Sequence, residues 1–151
     1  MKKIIRLLPL LIVALALTSN VAAQLRKIPA EVTDAFKVKY PDATQVEWKD
    51  KLTNFVAVFQ HEGKQYQARF SKKGEWKDTE WEIDTDELPE AVNEGYNKSK
   101  YAEEWKIDAA YKIELPNNKV NYRLLARKSD LQKKNILFSS EGRLLKDNVT
   151  L

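Results

Sequence analysis

Two apolar-alternating stretches flank the dipeptide Glu62-Gly63, and no other pattern constrains the fold of this chain as strongly. The first is Phe55-Val56-Ala57-Val58-Phe59 and the second is Gln65-Tyr66-Gln67-Ala68-Arg69-Phe70. A two-residue turn with Gly in second place fixes the pairing of the strands it joins. Phe59 then faces Tyr66, Ala57 faces Ala68, and Phe55 faces Phe70. Opposed residues share a sheet face, so one face is wholly apolar and the other carries Val56, Val58, Gln67 and Arg69. The same construction about Asn117-Asn118 sets Leu115 against Val120, Ile113 against Tyr122 and Tyr111 against Leu124. It leaves Lys112, Glu114, Asn121 and Arg123 on the opposite side. Each apolar face needs a cover.

Two helices can provide it. Ile28-Pro29-Ala30-Glu31-Val32 leads to Phe36 and Tyr40, and Leu88-Pro89-Glu90-Ala91-Val92 leads to Tyr96. Pro is tolerated in a first helical turn, and Val32/Phe36 and Val92/Tyr96 share the i, i+4 spacing of one helix face. A second matched pair, F-S-x-x-G at Phe70 to Gly74 and at Phe138 to Gly142, follows in the same order. Lys72-Lys73-Gly74 and Ser140-Glu141-Gly142 fit three-residue hairpin loops with Gly in the left-handed position. The chain is therefore expected to be an α+β protein of two tandem helix-plus-antiparallel-sheet units, over about 25–83 and 84–151. Units of this size are marginal alone and should share a sheet or a core.

The first 23 residues read as an address. Lys2, Lys3 and Arg6 open it, Ile4 to Leu17 is mostly apolar, and Val21 and Ala23 suit cleavage before Gln24. The apolar run is too short for a spanning helix, which wants ~20 residues. Expectation therefore falls on an exported chain of 24–151, periplasmic or else extracellular, with no stable membrane anchor after cleavage. Without the leader's cations, the 26 basic residues fall to 23 against 22 acidic ones, a formal charge of +1. That balance removes the surplus of Lys and Arg on which nucleic-acid binding rests. The charges are segregated nonetheless. Glu75 to Glu94 is acidic apart from Lys77, and Lys119 to Lys146 is basic apart from Asp130 and Glu141.

Catalytic and metal chemistry find little to work with. The chain has no Cys and one His, which excludes disulfides, thiolate clusters and multi-His zinc. His61 beside the Glu62-Gly63 turn is given no role. No Ser lies in a G-x-S-x-G elbow, and no phosphate-cradling glycine loop exists. Asp84-Thr85-Asp86-Glu87 lacks the glycine and the distant Glu of a calcium loop, and suits helix capping instead. No cofactor, no metal and no enzymatic activity are expected.

The signal-like leader, I-P-x-x-V-x-x-x-F closed by Tyr40-Pro41, Val46-Glu47-Trp48, the strand ending at Glu62-Gly63 and the strand ending F-S-x-x-G together resemble the PepSY-like proteins of Bacteroidetes periplasms. These are also described as beta-lactamase-inhibitor-like. The resemblance runs from about Leu25 to Leu151. It implies a helix-plus-antiparallel-sheet fold whose exposed sheet face binds another protein.

The expected function is thus a non-catalytic binding protein presenting a sheet face to a protein or peptide partner. Gln67, Arg69, Lys112 and Arg123 are the open-face candidates, with Trp48 and Trp81 as aromatic anchors, because Trp and Arg dominate interface hot spots. The alternative is a small-molecule or envelope-polymer sensor using a cleft between the two repeats.

Overall fold

The computed structural model describes residues 27–150. Helix α1 (Ala30–Lys39) precedes strands β1 (Thr44–Asp50), β2 (Asn54–His61), β3 (Lys64–Ser71) and β4 (Trp76–Ile83). A short 3-10 turn (Thr85–Glu87) leads to helix α2 (Glu90–Asn97). Strands β5 (Lys106–Leu115), β6 (Lys119–Ser129), β7 (Gln132–Ser139) and β8 (Leu144–Thr150) complete the chain.

The eight strands form one antiparallel sheet in the order β1-β2-β3-β4-β5-β6-β7-β8. This corrects the expectation of an α+β protein of two tandem helix-plus-sheet units. Strand β4 pairs directly with β5, from Thr79 opposite Glu114 to Ile83 opposite Ala110, so the backbone hydrogen bonding runs unbroken across the expected boundary. The helices are short, at ten and eight residues, and each covers only part of the sheet.

Both helices lie on one face. The row Tyr66–Trp81–Lys112–Tyr122–Phe138 runs across β3 to β7, and opposed residues share a face. Tyr66 packs in the cluster under α1, whereas Tyr122 and Phe138 pack in the cluster under α2. Val32 and Phe36 of α1 and Val92 and Tyr96 of α2 are the buried helix residues, as their spacing predicts. Under α1 the packing is aromatic. Phe36 meets Phe59 edge-on at 5.0 Å and Trp48 edge-on at 5.3 Å between ring centroids, the geometry that ring quadrupoles favour. Trp76 donates its Nε1–H to Thr79 Oγ1 at 2.9 Å, and the same hydroxyl is hydrogen-bonded to Tyr40 Oη. The helix-side core thereby satisfies its polar atoms internally.

The first hairpin has the expected register. Phe59 pairs with Tyr66, Ala57 with Ala68 and Phe55 with Phe70 about a turn in which Glu62 and Gly63 are both left-handed. The second does not. Leu115 pairs with Lys119, Ile113 with Asn121 and Tyr111 with Arg123, one residue away from the expected partners. The loop is Pro116-Asn117-Asn118, and both asparagines take positive φ (63° and 55°), which Asn tolerates better than most residues. Three loop residues in place of two shift the pairing by one. Because side chains alternate, the slip moves Tyr111 and Ile113 off the helix side and puts Lys112 and Glu114 onto it.

The loop glycines seat the helices. Gly74 (φ +82°) lies against the Glu31 carbonyl of α1, and Gly142 (φ +77°) against the Ala91 carbonyl of α2. The left-handed bend and the close approach both require the absence of a side chain.

Candidate functional site

The face turned away from both helices has an apolar floor and a polar lattice over it. Val56, Val58 and Ile113 are buried although neither helix covers them. Each is flanked across the sheet by longer side chains: Val56 by Lys49 and Arg69, Val58 by Glu47 and Gln67, Ile113 by Glu80 and Asn121. The stems of such chains lie over apolar surface while their heads stay wet.

Two ion pairs order this lattice. Arg69 Nε donates to Asp78 Oδ1 at 2.7 Å, with half of the Arg69 side chain exposed and Asp78 nearly covered. Burial pushes the Asp78 carboxyl up from its ordinary range, against the pull of Arg69, while the bond to Asp78 holds the Arg69 guanidinium above its own ordinary value. Arg123 is held more fully. Its Nε and Nη2 donate to Glu80 Oε2 and Oε1 at 2.8 and 2.5 Å, its Nη1 donates to Asn135 Oδ1 at 2.7 Å, and its guanidinium lies 3.8 Å from the centre of the Tyr111 ring. A bidentate pair stacked on an aromatic ring fixes a guanidinium in one place. It also joins the acidic stretch of the sequence to the basic one.

The candidates divide between the two faces. Gln67 and Arg69 are exposed on the helix-free face, and Arg123 is half-buried beside them. Trp48 pairs with Ala57 and packs on Phe36, so it belongs to the α1 cluster. Trp81 stacks on Tyr66 at 4.9 Å and touches both helix-side clusters. Lys112 stands opposite Trp81 with its Nζ 5.1 Å from the centre of a Trp81 ring. These three side chains therefore lie on the helix side, and the expected aromatic anchors are packing residues. Tyr111, Glu80 and Asn135 take their place on the helix-free face. The signal that bears on Tyr111 is Pro116 in front of two asparagines, which allows a three-residue loop as well as a two-residue one.

A groove of about 410 Å³ crosses β3 to β5, lined by Gln65, Gln67, Glu80, Trp81, Glu82 and Tyr111 among others. Strands β4 and β5 are paired beneath it, so it is a furrow on a continuous sheet and not a gap between units. Among the described residues no group of His, Asp and Glu is placed to hold a metal ion. In the acidic stretch, the Asp84 N–H donates to Glu87 Oε2 at 2.8 Å, which is capping geometry. Among the described residues no helix is long and apolar enough to cross a membrane.

Residues 53–146 match the model of a family described as "Putative beta-lactamase-inhibitor-like, PepSY-like", and the chain belongs to that PepSY-like family. Three solved structures from Bacteroides share the fold. A DUF2874 family protein from Bacteroides uniformis superposes with a TM-score of 0.72 at 24% identity, covering 80% of this chain and 88% of its own. One of the "putative periplasmic proteins" of Bacteroides eggerthii gives 0.71 at 24%, with the same coverage. A BLIP-like protein from Bacteroides fragilis gives 0.68 at 28%, covering 81% of this chain and 86% of its own. No curated protein matches.

Proposed function

We propose that this chain is an exported, non-catalytic binding protein that offers the helix-free sheet face to a protein or peptide partner in the periplasm. The observation that carries the reading is the clasp of Arg123 by Glu80, Asn135 and Tyr111 above a buried apolar floor. Binding loses affinity when loose side chains must be ordered, and here the polar groups are ordered beforehand. Arg and Tyr are also the residue types that dominate interface energetics. Membership of a family named for inhibitor likeness, and similarity to a protein described as BLIP-like, support a binding role. The neighbour described as periplasmic supports the compartment, together with the leader-like start.

Capture from a periplasmic extract by the chain from Gln24 onward tests the reading. The informative variant is Lys49→Glu with Gln67→Lys. Both residues are exposed on the helix-free face, and among the described residues neither takes part in an ion pair. Loss of capture with an unchanged melting temperature supports the face. Undiminished capture rejects it. The furrow across β3 to β5 favours a second reading, a sensor of a small molecule or envelope polymer, because its volume falls in the range of ligand sites, about 300–1,000 Å³. Saturable stabilisation by polymer fragments, with no protein captured, would select that reading instead.

A further inference from the structure

The strand order sorts the turns between two ends of the sheet, and the charges sort with them. The β1–β2, β3–β4, β5–β6 and β7–β8 turns lie at one end, because Asp50 meets Phe55, Phe70 meets Trp76, Leu115 meets Lys119 and Phe138 meets Leu144 there. These turns and their borders carry Lys51, Lys72, Lys73, Lys119 and Arg143. The acids among them are Asp50, exposed at the end of β1, Glu75, already paired with Lys77, and Glu141, already accepting a hydrogen bond from Ser140. Among the described residues, none of those five cations sits in an ion pair. The opposite end holds the β2–β3 turn, the 3-10 turn after β4 and the β6–β7 turn, with Glu62, Asp84, Asp86, Glu87 and Asp130; its bordering cations include Lys106, Lys64, which is paired with Glu87, and Lys128, which is paired with Glu104.

The basic end is also apolar at its tip. Leu52, between Lys51 and Thr53 in the β1–β2 turn, is 91% exposed. Leu144 and Leu145, next to Arg143, are exposed to 40% and 43%. Leu145 further lines a groove of about 520 Å³ with Lys112, Lys119, Arg143 and Glu141 among others. Cations draw a protein to an anionic surface, and a protruding apolar side chain enters the headgroup boundary.

We infer that this end docks reversibly on a membrane surface rich in anionic phospholipid, standing the sheet upright so that the helix-free face stays accessible. This inference does not rest on the proposed partner site, although Lys51 lies at the border of that face, beside Gln67 and Arg69. Soluble acidic polymers share the charge but offer nothing to Leu52, and that separates the two occupants.

Co-sedimentation of the chain from Gln24 onward with vesicles tests it. Vesicles of phosphatidylglycerol and phosphatidylcholine should carry the protein down at low salt, and raising the salt should release it. Pure phosphatidylcholine vesicles should not. Lys72→Glu with Lys73→Glu should lower the bound fraction by about tenfold or more, given what each basic residue contributes at such a surface. Leu52→Asn should lower it severalfold. Leu131→Asn, at an equally exposed turn of the acidic end, should leave it unchanged and serves as the matched control. Binding to both vesicle types alike, or full binding by the double lysine variant, overturns the inference. Tight binding to soluble polyglutamate without partition onto anionic vesicles also overturns it, in favour of an acidic protein partner.

Discussion

Gly74→Ala tests how the helices are seated, and Gly63→Ala is its control. Both glycines are left-handed, at φ +82° and +77°. A methyl group at Gly63 meets no atom within 4 Å, so its cost is conformational alone, about 1–2 kcal/mol. A methyl group at Gly74 would lie 2.5 Å from the Glu31 carbonyl oxygen and 2.9 Å from its carbon. Those are backbone atoms of α1, so the helix itself must move. Val32 and Phe36 lie directly beneath, at 0% and 4% exposure. Loosening Val32 alone forfeits part of the ~1.5–3 kcal/mol that burying such a side chain provides. The expected total for Gly74→Ala is about 3–4 kcal/mol, a large fraction of the ~5–15 kcal/mol that holds a domain folded. Calorimetry reads the difference. At roughly 4 °C per kcal/mol for a domain of this size, Gly63→Ala should lower the melting temperature by about 4–8 °C and Gly74→Ala by about 12–16 °C. Equal losses would refute the idea that this turn is a seat for α1.

Three further outcomes are expected. Removing Arg69 (Arg69→Met) leaves the covered Asp78 carboxyl without its partner and should cost about 1–3 kcal/mol, while Arg69→Met with Asp78→Leu should recover most of it in a double-mutant cycle. Burial pushes the Tyr40 hydroxyl from 10.0 up to about 12, so the folded state holds that proton more tightly; stability should fall as pH rises from 10 towards 12, and Tyr40→Phe should remove that slope in urea titrations. The Asp84 N–H holds the Glu87 carboxyl below its ordinary value of 4.5, so its contribution is complete above that pH and is lost as acid protonates the folded form; Glu87→Gln should flatten this part of the acid limb, whereas Asp78, shifted upward, acts in the opposite sense.

What could be read from the sequence depended on how local the determinant was. The Glu62-Gly63 turn gave one answer for pairing, because two left-handed residues in two positions leave a single register. The helix faces were equally plain, since Pro29 and Pro89 mark the starts and the i, i+4 pairs mark the buried sides. Pro116-Asn117-Asn118 admitted loops of two or three residues, and that choice decided whether Lys112 or Tyr111 faced away from the helices. The β4–β5 pairing had no turn to announce it, because 22 residues that include α2 separate Ile83 from Lys106. The tryptophans were ambiguous for another reason. Trp is common both at interface hot spots and in cores, and only the strand register shows that Trp48 and Trp81 point to the helix side, away from their charged sequence neighbours.

On the proposed reading, the helix-free face receives the partner. A photoreactive side chain placed at Gln67, on that face, should form cross-links to a protein in the periplasm on illumination. The same group at Val38, which is 83% exposed on α1, should form none. Cross-links from position 38 with none from position 67 would put the partner on the helix side instead and overturn the proposed face.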